Sequence, residues 1–281
     1  MTPLSALDRW TLAYAAVVTV ALLWRWPERL PHPGLLLLGH GLLALAAAFA
    51  HRARSAGTVG ELAGELYPLL LTAALYTEIG LINVAAGVSG DARVQAWEEA
   101  LFGGQPSTEW IRAWPWPWLS WILHLGYLSY YFILAAAPLG LWLSGRRDGA
   151  RRAVLLMMVT FYACYTAFLC FPVAGPRYAF PPAENAATAT LPARLAGRLL
   201  DRAAAWGTAF PSSHVAVALV ASACAARSWR ALGAVLVPAA LLLTLGTVYG
   251  QFHYAVDALA GVAMAGAVLV LSDRSIRRSP A

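Results

Sequence analysis

The chain has 281 residues, 60% of them hydrophobic and 12% charged, with a mean hydropathy of +0.61. That composition excludes an ordinary soluble domain and reads as a multi-pass membrane protein. All 20 basic residues are arginine and the net charge is +6; no basic stripe interleaved with aromatics accompanies it, so the excess points to membrane topology and not to nucleic acid.

Apolar runs of about 17 to 25 residues can cross a bilayer as helices. They are expected roughly over 9–24, 34–50, 66–87, 118–143, 153–171, 211–226, 231–249 and 253–271. The fold class is therefore all-α: a multi-pass transmembrane helical bundle of about eight helices, with interfacial amphipathic segments. No small-residue cleavage site follows the first run, which is read as a retained helix. No repeat and no linker divides the chain, so residues 1–281 are expected to form a single membrane domain.

Arginines resist translocation and stay on the cytoplasmic side. With the N-terminus inside, the inner segments carry Arg9, Arg52, Arg54, Arg146, Arg147, Arg151, Arg152, Arg227, Arg230, Arg274, Arg277 and Arg278, twelve of the 20. Both termini are expected in the cytoplasm and the protein in the cell membrane. Cys164, Cys170 and Cys224 lie in or beside apolar helices without CxxC spacing and are read as packing residues.

Two connections are long. Residues 88–117 mix polar and aromatic residues, and Trp110, Trp114, Trp116 and Trp118 crowd the start of the fourth run. Indoles prefer the headgroup level, so this segment is expected along the membrane surface, where Glu98 or Glu99 is a weak candidate for substrate contact. In residues 172–210, Arg194, Arg198 and Arg202 recur every fourth residue on a short amphipathic helix, opposite Leu195 and Leu199. They form either a cationic face on lipid headgroups or a cover over a headgroup site.

Three short elements carry the chemistry. In "YGQFHYAVDALAGV", His253 and Asp257 are four residues apart, a spacing that places both on one face at the start of the last helix. The carboxylate there fixes the imidazole tautomer, making His253 a candidate nucleophile or base. In "GTAFPSSHVAVALVASA", Pro211 suits a first helical turn, and the N–H groups after it, with the hydroxyls of Ser212 and Ser213, form an anion site under His214, a candidate acid. In "GPRY", Arg177 can hold two phosphate oxygens. Topology puts Arg177, His214, His253 and Asp257 on one membrane face, the extracytoplasmic one, a combination suited to phosphoryl transfer.

With its "PSSH" and its His253-x3-Asp257 core in that order, the sequence resembles the type 2 phosphatidic acid phosphatase superfamily, related to the vanadium haloperoxidases. The chain contains no lysine, Gly246 and Thr247 stand where the family pattern has Ser-Arg, and Ser213 replaces the glycine of its second element. "GPR", "WEEALFGGQPS" and "HLGYLSYYF" are similar to the inositol phosphorylceramide synthase branch, extending the resemblance over residues 97–265. It implies a catalytic core over 97–272 behind N-terminal helices, 1–96, of unclear role. It also implies a phosphohistidine intermediate without metal or cofactor: His253 as nucleophile, Asp257 orienting it, His214 as acid and then base, and Arg177, Ser212 and Ser213 binding phosphate. Partners would be membrane lipids, with a lipid phosphate or phospholipid as donor and a lipid or polyol hydroxyl or water as acceptor. The expected activity is a phospho-headgroup transferase of that branch; the alternatives are a lipid phosphate phosphatase and a non-catalytic anion or lipid transporter.

Arg194, Arg198, Arg202, His124 and Tyr127 are candidate headgroup contacts, with Tyr130 and Tyr131 on the same side of the fourth run as His124. Glu78 and Asn83 in the third run must face the bundle or a wet cavity.

Overall fold

The structure, a computed structural model, describes residues 4–25, 30 and 32–278, with side chains as far as residue 274. The side chains of Arg277 and Arg278, and the extreme termini expected in the cytoplasm, lie outside the described residues. Among those described, the chain is all helical apart from one isolated bridge. The helices are α1 (Ala6–Arg25), α2 (Pro33–Ala53), α3 (Thr58–Ala86), α4 (Asp91–Phe102), α5 (Pro106–Ala113), α6 (Pro117–Leu143), α7 (Arg147–Cys170), α8 (Pro176–Ala179), α9 (Leu191–Ala203), α10 (Ser213–Ser228), α11 (Arg230–Tyr249) and α12 (Ala255–Arg278).

Seven of these, α1, α2, α3, α6, α7, α11 and α12, are long and apolar enough to cross a membrane. The eighth expected run forms α10, whose 16 residues span ~24 Å, less than the ~30 Å hydrocarbon core. It has no need to meet lipid. Helices α6, α7, α11 and α12 surround it, and Val215, Ala216, Val217, Ala218, Val220 and Ala221 are fully buried. A helix apolar on every side belongs at the centre of a bundle, and its alanines let the neighbours approach closely.

α6 and α11 cross at a point where Gly246 admits no side chain, because a Cβ there would run into the carbonyl oxygen of Leu123. This contact gives the physical reason why position 246 carries no serine.

α3 starts eight residues before the expected run. Its added turns contain Glu61 and Glu65, which lower the hydropathy but are neutralised in the fold. Glu65 accepts from Arg54 Nε at 3.0 Å, and Glu61 pairs with Arg147, at 3.1 Å, and with Arg151. At the same end of the bundle Arg54 holds buried Asp8 in a two-pronged pair at 2.7 and 3.1 Å, and Asp273 joins Arg152 to Arg227. Within the N-terminal helices, His40 Nε2 lies 3.0 Å from Glu78 Oε1, and Thr19 is 2.7 Å from the other ring nitrogen. Glu78 therefore faces the bundle, as does Asn83, whose amide donates to the carbonyls of Phe168 and Gly207. Cys164 and Cys224 are buried, whereas Cys170 is exposed; all three are free thiols.

The aromatic connection folds as α4 and α5. Trp114, Trp116 and Trp118 are exposed, with the rings of Trp116 and Trp118 stacked at 5.7 Å.

Candidate active site

The site is assembled at the bundle end opposite the arginine pairs, from three turns that follow α7, precede α10 and follow α11. The first two are bridged by Val173 and Thr208, with the Ala209 N–H donating to the Val173 carbonyl at 2.9 Å. Asn83 holds the second through Gly207.

At the start of α10, Ser212 is the N-cap and its Oγ accepts the Val215 N–H at 3.4 Å. The Ser212 N–H donates to the Asp257 carbonyl at 2.9 Å. It is therefore unavailable to an anion, and the Ser213 and His214 N–H groups are the donors left without an intrahelical partner. α12 comes close because Gly261 faces the Ser212 carbonyl, where a Cβ would sit at 2.6 Å.

His253 lies in the turn before α12 and not on its first helical face. The N–H groups of Phe252 and His253 both donate to the Thr247 carbonyl at 3.0 Å, so Thr247 anchors this turn through its backbone. Asp257, in the first turn of α12, accepts the Tyr254 N–H at 2.9 Å with Oδ2, the backward reach of a helix-capping carboxylate. The same oxygen is 3.4 Å from His253 Nδ1. With Nδ1 turned to the carboxylate, Nε2 is the candidate reacting nitrogen. Burial pushes the His253 imidazole down to about 4, against a hydrogen bond to the Ala209 backbone that acts in the other direction. A neutral imidazole with a free lone pair is what a nucleophile requires.

Two acids from α4 brace this turn, and their reach across the fold is not visible in sequence. Glu98 is fully buried and accepts the Ala255 N–H, capping α12 from outside, while Ser107 donates to its other oxygen. Burial raises Glu98 to about 7, with the charge of Asp257 adding to the rise and the Ala255 N–H opposing it. Glu99 is exposed. Asp91 accepts the N–H groups of Ala174 and Gly175 at 2.8 and 2.9 Å and the Tyr254 hydroxyl at 2.9 Å. It thus ties the "GPR" turn to the residue after His253. The only local signal for it is an acid opening a helix after Gly90.

One narrow cleft is lined by Arg177, His214 and His253 together with Tyr76, Tyr127 and Phe252. The two imidazole rings are 5.7 Å apart, and His214 packs against Tyr130 at 4.3 Å and Tyr127 at 5.8 Å. Tyr127 is nine residues beyond Trp118 on α6, which places the cleft ~14 Å along that helix from the tryptophans. Arg177 Nη2 pairs with Asp201 of α9 at 2.7 Å. Tyr131 is half exposed and away from the cleft.

On α9 the residues turned inward are Ala193, Ala196 and Leu200, while Leu195 is 44% exposed and Leu199 is half-buried. Arg194, Arg198 and Arg202 are therefore opposite small residues and not opposite the two leucines, and all three are exposed. α9 meets the cleft through Leu200 in its lining and through the Asp201 pair with Arg177. His124 lies in a neighbouring cavity that also reaches Arg177.

A guanidinium, a helix N-terminus and two imidazoles around one recessed space can bind a phosphoester, attack it and protonate what leaves. A family model described as the PAP2 superfamily matches residues 92–271, more than half of the chain. No curated protein and no solved structure matches it.

Proposed function

The chain belongs to the PAP2 superfamily, and on that footing we propose that it is a membrane-embedded enzyme that cleaves a lipid phosphoester and passes the phospho group to water or to a second hydroxyl. The observation that carries this reading is the convergence of Arg177, His214 and His253 on one cleft.

In the proposed reaction His253 Nε2 attacks phosphorus and the bond to the lipid alkoxide breaks. His214 protonates the departing oxygen, then takes the proton of the incoming hydroxyl as the phosphohistidine is resolved. Asp257 keeps the proton on His253 Nδ1. Arg177 and the Ser213 and His214 N–H groups hold the phosphoryl oxygens, aided by the positive end of α10. The substrate phosphate exchanges with Asp201 on Arg177. Ser212 contributes as the joint between α10 and α12, and no metal or cofactor enters the scheme. Residues 97–272 form the catalytic core, and the recessed cleft favours a substrate already in the bilayer.

The arginine bias puts the opposite end of the bundle, with both termini, in the cytoplasm and the cleft on the extracytoplasmic side. Within the superfamily, the absence of lysine and the Gly246-Thr247 pair in place of Ser-Arg favour the inositol phosphorylceramide synthase-like branch and hence transfer to a hydroxyl. The test is turnover of short-chain lipid phosphates and phospholipids by purified protein. His253→Ala and His214→Ala should each abolish it in protein that remains folded; persistent activity in either would refute the scheme.

A further inference from the structure

Beside the histidine cleft is a second cavity of about 410 Å³ beneath α9, with His124, Thr188, Gly197 and Gln251 in its lining. Arg177, Leu200 and Phe252 line both spaces, so the two adjoin at the residue proposed to hold the phosphate. Its size suits a headgroup-sized ligand.

The tautomer of His124 follows from its neighbours. Its Nδ1 lies 2.9 Å from the Ser120 carbonyl, which can only accept, so Nδ1 carries the proton. The Ser120 hydroxyl, 3.0 Å from the same nitrogen, gives its own hydrogen to the Ala187 carbonyl at 2.6 Å. Nε2 is therefore a lone-pair acceptor. It makes no hydrogen bond among the described residues, on a side chain only 2% exposed. Tyr249 and Phe252 set their rings edgewise against the imidazole at 5.9 and 5.8 Å and hold its orientation. An acceptor without a protein donor, on a residue in the wall of a cavity, suits a ligand that brings one.

We infer that this cavity is an alcohol subsite, in which His124 Nε2 accepts a hydroxyl of a small polyhydroxylated molecule that receives the phospho group. The inference rests on the phosphohistidine reading above and deepens it. An acceptor oxygen attacks phosphorus, the bond from phosphorus to His253 Nε2 breaks, and the acceptor's proton moves to His214. A filled cavity also excludes the water that would otherwise take the phosphoryl group. His124 binds and positions the acceptor without exchanging a proton with it.

The experiment supplies dioctanoyl phosphatidic acid as donor and glycerol or sorbitol as acceptor probe, and measures polyol phosphate against inorganic phosphate by mass spectrometry. Both products come from one intermediate, so their ratio cancels changes in total turnover. The ratio should saturate with polyol in the wild type. It should fall at least tenfold in His124→Phe and in Gly197→Leu, which fills the cavity from α9, where a Cβ at Gly197 meets nothing within 4 Å. His124→Gln, which retains an acceptor, should recover part of the loss. A ratio that rises linearly with polyol and is equal in wild type and variants overturns the subsite while leaving the phosphotransfer reading intact. A wild type that consumes no donor overturns both.

Discussion

The N–H of Ser212 donates to the carbonyl of Asp257 at 2.9 Å, so the cap of α10 and the first turn of α12 are fixed to each other through backbone alone. That bond fixes the backbone from which the two halves of the proposed machinery, His214 and His253, project, and their rings lie 5.7 Å apart.

Asp257→Asn tests the orienting carboxylate. The amide oxygen can still accept the Tyr254 N–H, so the fold should persist, but the amide cannot stabilise a charged His253. The expected result is a loss of kcat on the order of 10²–10⁴-fold with little change in Tm, read from steady-state kinetics and thermal unfolding of the same preparation.

Asp91→Ala leaves two backbone donors and the Tyr254 hydroxyl without their acceptor. A stability loss of about 1–3 kcal/mol is expected, together with a raised KM as the Arg177 turn loosens. Because Asp91 and Tyr254 share one bond, combining the change with Tyr254→Phe should cost less than the sum of the two. Denaturation midpoints of the four proteins measure this.

Stability should depend on pH through two groups of opposite behaviour. Glu98 sits near 7 in the fold against an ordinary 4.5, so the stability it contributes is full below about 4.5 and is lost as pH rises through 7. His253 sits near 4 against 6.5, so its contribution is full above 6.5 and is lost as pH falls through 4. Glu98→Gln should therefore flatten the fall in Tm between pH 5 and 8 and leave the acid-side fall in place. A wild-type profile already flat over that range would contradict the burial argument.

Gly246→Ser restores the residue of the family pattern at a place where the Leu123 carbonyl leaves no room. The substitution should destabilise by about 1–3 kcal/mol, visible as a lowered Tm, and should not raise activity.

The apolar runs that become the seven candidate spans and α10, and the meeting of Arg177, His214 and His253 at one end of the bundle, were legible in the sequence, because hydropathy sets spans and alternation sets ends. The early start of α3 was not, since Glu61 and Glu65 look like a boundary until Arg54 and Arg147 are seen beside them. Nor was the support of the site. Spacing suggested His253 and Asp257 on one helical face, whereas the carboxylate reaches back to cap α12 and meets a histidine in the preceding turn. Glu98 and Asp91 act on residues more than 80 positions away, a reach that composition and periodicity do not encode. The inward face of α9 was not legible because Ala193, Ala196 and Leu200 form it, and not the more conspicuous Leu195 and Leu199.

The proposed reaction turns on a covalent bond between phosphorus and His253. Purified protein mixed with a ³²P-labelled lipid phosphate and quenched within the first turnover should carry acid-labile, base-stable label on His253, and His253→Ala should carry none. Turnover without any protein-bound label, or label undiminished in His253→Ala, would contradict it.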